Sequence, residues 1–149
     1  MILNQLLKNN GFLSHKNYKS TLESIENAKK YFDTIFKKNG IVFKNTLDRI
    51  DKIDKKNLDD KQKNEIIDAQ TSISLVDSNS TIYYINMTLL LSKLYDTVYE
   101  VEQCKHIVEN NEVLFYDNEC LKKYNKLVSE VQKLQVKCNN IKAKYNEFY

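Results

Sequence analysis

The chain has 149 residues, of which 42% are hydrophobic, and a formal net charge of +3. This length is that of one domain of ordinary size. The hydrophobic fraction excludes a chain that is disordered throughout. It contains no proline and only two glycines, so it lacks the turn residues on which β-sandwiches and barrels depend. We therefore expect an all-α fold, in which residues 1–149 form a single elongated helical bundle of about four or five helices.

The basic residues are almost all lysines, because Arg49 is the only arginine among 23 Lys and Arg residues. Lysine, asparagine, isoleucine and tyrosine are abundant together, and their codons are rich in A and T. This bias is typical of viruses, phages, low-GC bacteria and some intracellular parasites, among which we favour a viral, phage or parasite origin. Net charge alone says little about a nucleic-acid partner, since the acidic middle of the chain can neutralise its basic ends.

The chain has three cysteines, and no two of them form a C-x-x-C pair. An odd count without such a pair predicts a chain without a disulfide framework in a reducing compartment. We therefore expect a cytoplasmic protein, located in the host-cell cytoplasm if the chain is viral. The longest apolar stretch, Ile82 to Leu91, is about ten residues, whereas about 20 are needed to cross a bilayer. We expect no membrane span.

Shorter helices are predicted over residues 17–77. Apolar spacing indicates a helix over 17–38, which Asn39-Gly40 should end, and a second helix over 42–56. Asp59 followed by Gln62 has the spacing of a capping box and predicts the start of a third helix. That helix should end in a loop at Asp77–Ser80.

An alternative for this region stays open. Residues 72–85 contain two short β-branched or aromatic runs on either side of the polar loop residues, which is also a pattern of a β-hairpin. An isolated hairpin is only marginally stable.

The region 81–149 predicts a long antiparallel helical hairpin. Apolar residues at helical spacing indicate one helix from Thr81 to about Glu112, with Met87, Leu91 and Leu94 on its buried side. A connection near Phe115–Asn118 follows. The last helix carries a coiled-coil-like seam, whose members alternate by four and three residues: Cys120, Tyr124, Leu127, Val131, Leu134, Cys138, Ile141, Tyr145 and Phe148.

Catalytic motifs are not found in this sequence. A Gly-rich phosphate loop, H-E-x-x-H and G-x-S-x-G are all missing, and two glycines cannot build a backbone phosphate cradle. Glu102, His106 and Glu109 can share a helix face, but a di-iron bundle needs Glu-x-x-His on two helices. We expect a protein that is not an enzyme and that has no catalytic, cofactor-binding or metal-binding residues.

The long seam favours a function in protein–protein interaction, including self-association into an oligomer, because a heptad seam does not specify which helix fills it. A viral, phage or parasite accessory or structural factor fits this description. The residues predicted to make the contact are Leu127, Val131, Leu134, Ile141 and Tyr145.

The alternative function is that of a nucleic-acid-associated accessory protein. Its lysine-rich surface would lie within residues 29–56 and would contact phosphates without reading bases, since base recognition relies heavily on arginine. The residues predicted to contact nucleic acid are Lys29, Lys30, Lys37, Lys38 and Lys44.

Overall fold

The computed structural model describes residues 18–109 and 112–146. Within them, three helices and one two-stranded sheet follow in the order α1 (Tyr18–Asp51), α2 (Asp60–Gln103), β1 (His106–Glu109), β2 (Glu112–Phe115) and α3 (Asn118–Asn146). The all-α prediction is confirmed in that this part of the chain is mostly helical. The predicted number of four or five helices is wrong, because the short helices predicted over residues 17–77 are merged into the longer helices α1 and α2.

Helix α1 runs through the predicted stop at Asn39-Gly40 and ends at Asp51, so the separate helix over 42–56 does not form. A helical glycine costs about 1 kcal/mol relative to alanine. Contacts with α2 outweigh that cost on both sides of Gly40. The ring of Phe36 stacks on Tyr84 at a centroid distance of 4.1 Å, and beyond the glycine the Gln70 side-chain amide donates to the Asp51 carboxylate at 2.6 Å.

The predicted helix start at Asp59 is confirmed. The Asp59 carboxylate accepts a hydrogen bond from the Gln62 backbone N–H at 2.8 Å, and the Gln62 side-chain oxygen accepts one from the Asp59 N–H at 3.0 Å. This reciprocal capping box satisfies two donors that would otherwise lack partners at the start of α2.

Helix α2 is continuous, so the loop at Asp77–Ser80 and the alternative β-hairpin at 72–85 are both wrong. Its polar residues bond to the helix itself instead of breaking it. The Thr81 hydroxyl donates to the Asp77 carbonyl at 3.0 Å, and the Asn86 amide donates to the Ile82 carbonyl at 2.7 Å. These bonds to the carbonyl four residues earlier let Thr and Asn remain inside a helix.

A β-hairpin follows α2 where the sequence predicted helix as far as Glu112. The helix ends at Gln103, and β1 pairs antiparallel with β2 so that His106 lies opposite Phe115 and Ile107 opposite Leu114. Ile107, Val108 and Val113 are β-branched and favour extended backbone. Phe115 packs against Tyr124 of α3 with centroids 5.2 Å apart, which fixes the hairpin to the end of the bundle.

The core lies where all three helices are side by side. Helix α2 is central and contacts both α1 and α3, and it runs antiparallel to each. The predicted buried residues Met87, Leu91 and Leu94 are confirmed. The buried cluster consists of Ile25, Met87, Leu90, Leu91, Leu94, Val98, Val101, Val131 and Cys138.

Helices α2 and α3 form the predicted antiparallel pair, but α1 packs on the same core, so the arrangement is not a two-stranded coiled coil. Two ion pairs join the acidic α2 to the basic α3. Lys93 lies 2.9 Å from Glu130, and Glu100 lies 3.9 Å from Lys123. The hydrogen bond with Glu130 raises the pKa of Lys93, and the same bond lowers the pKa of Glu130.

A disulfide joins Cys104, after the last residue of α2, to Cys120 in the first turn of α3, with Cα atoms 6.1 Å apart. The prediction of a chain without disulfides is therefore wrong. The hairpin reverses the chain and brings together two cysteines that are 16 residues apart in sequence, which cysteine counting cannot reveal. The odd cysteine is Cys138, which is free and buried. The cytoplasmic location stays a prediction that has lost its cysteine argument.

We predict that Leu94→Ala and Leu89→Ala differ sharply in their effect on stability. The two leucines lie on the same helix, but Leu94 is 1% exposed and Leu89 is 49% exposed. Leu94→Ala should lower the free energy of unfolding by roughly 2–5 kcal/mol, since it leaves a cavity in the core. Leu89→Ala should cost less than about 1 kcal/mol. Urea unfolding of both variants measures this, and equal losses would contradict the packing described here.

The disulfide should stabilise the fold by about 3 kcal/mol, the value expected for a loop of this length in the chain-entropy account. Reduction of the wild type, or Cys120→Ser, should therefore lower the free energy of unfolding by roughly 2–4 kcal/mol. Adding reductant to Cys120→Ser is the control and should change nothing further. A wild type whose stability is insensitive to reductant would show that the bond does not form.

Candidate interaction surface

Of the predicted interaction residues of the C-terminal seam, Leu127, Val131 and Leu134 lie on the side of α3 that faces α2. Val131 is buried and Leu134 packs against the core cluster, while Leu127 and Ile141 are half-buried. The side chain of Tyr145 lies outside the part of the structure that can be described. Val131 and Leu134 are occupied by contacts within the chain, and the role of the whole set in binding another chain stays a prediction.

Another apolar surface lies on the opposite side of α2 and was missed by the sequence analysis. We call it the outer face and define it by six residues at alternating spacings of three and four: Leu75, Ser78, Ile82, Ile85, Leu89 and Ser92. Its four large aliphatic side chains are 45–50% exposed. Neighbouring α2 residues Met87, Leu91 and Leu94 point into the core, so the outer face turns away from α1 and α3.

The outer face lacks charge along most of its length. Residues 78–92 of α2 contain no Asp, Glu, Lys or Arg, and the nearest charged residues are Asp77 and Lys93. Single exposed aliphatic residues are normal on protein surfaces, but several in a row are unusual. Covering a surface without charges by another apolar surface carries no cost for desolvating charged groups.

The sequence did contain a signal for this surface. Leu75 and Ile82 were assigned to different elements on either side of the predicted loop, so their common spacing was not considered. Once α2 is continuous, the same spacing runs from Leu75 to Ser92.

The predicted nucleic-acid-binding lysines are spread around α1 and partly paired. Lys29 lies 3.2 Å from Glu26 and Lys37 lies 2.7 Å from Asp33. Hydrogen bonds from Lys37 and Tyr84 lower the pKa of Asp33. Three exposed lysines, at intervals of seven residues, share one face of the helix, and these are Lys30, Lys37 and Lys44. Lys38 is exposed beside this row.

An apolar cleft of about 250 Å³ opens between the helices near the end of α3. Phe32 and Phe36 of α1 and Tyr83 and Tyr84 of α2 supply aromatic walls, and Lys142 of α3 is the charged residue at its rim. Burial raises the pKa of Tyr83.

At the other end of the bundle, hydrogen bonds of His106 connect the β-hairpin to α1 and to the end of α2. The Tyr18 hydroxyl hydrogen-bonds to Nε2 of His106, and Nδ1 of His106 bonds to the Cys104 carbonyl at 2.7 Å. A carbonyl only accepts, so Nδ1 carries a proton, and in the neutral ring Nε2 accepts from Tyr18. His106 thereby joins α1 to the strand, whereas the sequence had placed it on a helix face with Glu102 and Glu109.

Metal ligands are not gathered anywhere in residues 18–109 and 112–146, where no three His, Cys, Asp or Glu side chains come close enough to hold an ion. None of the described helices combines the length and apolarity required to cross a bilayer. The chain matches no protein family, no curated protein and no solved structure.

Proposed function

We propose that this chain is a non-enzymatic helical protein that works by binding another protein through the outer face of α2. The supporting observation is the row of Leu75, Ile82, Ile85 and Leu89, each about half exposed on a helix whose other side is buried from Asn86 to Val101. Exposing them costs solvation free energy of about 25 cal/mol per Å² of apolar area, and covering them with another protein recovers it. The setting we propose is that of a viral, phage or parasite accessory factor.

The rigidity of α2 also supports this function. On the side of α2 opposite the outer face, the buried residues Leu90, Leu91 and Leu94 pack the middle of the helix against the core. An interaction surface on a packed helix loses little conformational entropy on binding, so more of the contact energy appears as affinity.

We predict that a photo-reactive amino acid in place of Leu89 will cross-link to a protein in the cells where the chain is made. The same amino acid in place of Ile41 is the control, because Ile41 is 61% exposed but lies on α1, away from the outer face. Adducts of protein mass should form at position 89 and not at position 41. If neither position yields a protein adduct, the proposed function is wrong.

A second candidate function is non-specific nucleic-acid binding. The observation in its favour is the common face of Lys30, Lys37 and Lys44, whose side chains follow α1 at intervals of seven residues. Such a row could follow a phosphate backbone without reading bases.

Nucleic-acid binding by these lysines predicts a salt-dependent affinity. Reversing the charge at Lys30 and Lys44 together should strongly weaken binding to DNA and RNA at about 50 mM salt and should make the affinity that remains less dependent on salt. Lys63→Glu, on the first turn of α2, is the matched control and should bind as the wild type does. Gel-shift titrations with single- and double-stranded DNA and RNA measure this. A wild type that binds none of them at low salt would exclude the function.

A further inference from the structure

We propose that the outer face of α2 binds the outer face of a second copy of this chain, with the two helices antiparallel about a twofold axis. This inference rests on the proposed function, since it names the partner of the same surface. A symmetric dimer requires a surface that is complementary to itself, and the order of large and small residues on the outer face meets this requirement.

The order of side chains along the outer face is Leu, Ser, Ile, Ile, Leu, Ser. An antiparallel partner presents the same order in reverse. When Ile82 faces Ile85 of the second copy, Leu89 faces Ser78 of the second copy, and Leu75 faces Ser92 of the second copy. Each leucine then meets a small residue, so the side chains interdigitate as they do in well-packed helical interfaces.

The same alignment pairs the polar residues that lie just beyond the outer face. The same spacing continues beyond both ends of the outer face. There, Thr71 faces Asp96 of the second copy, and Asp68 faces Tyr99 of the second copy. All four of these side chains are exposed in the single chain. The Tyr99 hydroxyl can donate a hydrogen bond to the facing Asp68 carboxylate, whereas the Thr71 hydroxyl already donates to the Ile67 carbonyl at 2.9 Å. No two like charges meet in this register.

A parallel dimer of the same helices would be less favourable. Each residue of the outer face and of its extensions would then face the same residue of the second copy. Asp68 would meet Asp68 of the second copy, and Asp96 would meet Asp96 of the second copy. Facing like charges destabilise a helix pair. Serine would also face serine at positions 78 and 92, which leaves gaps between the leucine layers. The antiparallel register avoids both defects.

The size and access of the surface suit a reversible dimer. Residues 68–99 span about 47 Å of helix at ~1.5 Å per residue. Contact over this length is of the order of the smaller specific interfaces, about 1,200 Å² in total. Since α1 and α3 pack on other sides of α2, a second copy can reach the outer face without displacing either helix.

Sedimentation of the pure protein between about 1 µM and 1 mM tests the dimer. The wild type should convert from monomer to dimer within this range. Ile85→Glu should weaken association at least about ten-fold, because it buries an unpaired carboxylate against Ile82 of the second copy. Ile41→Glu is the matched control and should associate as the wild type does. Circular dichroism checks that both variants remain folded. A wild type that stays monomeric throughout would overturn the proposal.

Cysteine cross-linking tests the register. A mixture of Ser78→Cys and Leu89→Cys chains should form a disulfide-linked dimer under mild oxidation, since facing positions fall within disulfide reach. Ser78→Cys alone should not, because positions 78 of the two copies are about 16 Å apart along the axis. The wild type controls for the native cysteines. Rapid cross-linking of Ser78→Cys alone would indicate parallel helices and overturn the antiparallel arrangement.

The failure of this inference is distinguishable from the failure of the proposed function. A monomeric wild type whose position 89 cross-links to a different protein would overturn the dimer and leave the proposed function standing. A monomeric wild type with no protein adduct at position 89 would overturn both.

Discussion

The burial of one side of α2 is the interaction on which the rest of the structure depends. Leu90, Leu91, Leu94, Val98 and Val101 are almost completely buried between α1 and α3, and neither flanking helix has a comparable buried row of its own. At about 1.5–3 kcal/mol for each large aliphatic side chain, the burial of this row stabilises the packing of α1 and α3 against α2. It also determines which side of α2 faces outward, so the candidate interaction surface is a consequence of the core.

Several features of the fold were predictable because their signals are local or strictly periodic. The capping box of Asp59 and Gln62 is contained within four residues, and the seam through Val131 and Leu134 repeats without interruption. The turns predicted at Asn39-Gly40 and Asp77–Ser80 were wrong because local turn preference is worth about 1 kcal/mol per residue. Contacts between the continuous helices, such as the stacking of Phe36 on Tyr84, outweigh this preference, and no proline is present to prevent either helix from continuing.

The strands, the disulfide and the outer face depend on spatial information. Ile107 and Val108 fit a helical spacing as well as a strand, so only their pairing with β2 decides between the two. The bond between Cys104 and Cys120 requires the chain reversal that this pairing produces. The outer face is recognisable only when α2 is known to be unbroken. The lysines of α1 could be found in the sequence, but not which of them are paired with acidic neighbours.

The two ends of α2 differ in what surrounds them. Near Val98 the helix has α1 on one side and α3 on another, whereas between residues 40 and 79 no residue of α1 or α2 is buried. A single helix thus runs from a closely packed segment into a segment that makes few tertiary contacts. Local opening of a helix requires less free energy where less apolar surface is buried. Backbone amides of α2 should therefore exchange with solvent at rates graded along one unbroken helix, slowest near Val98 and fastest toward its first turns.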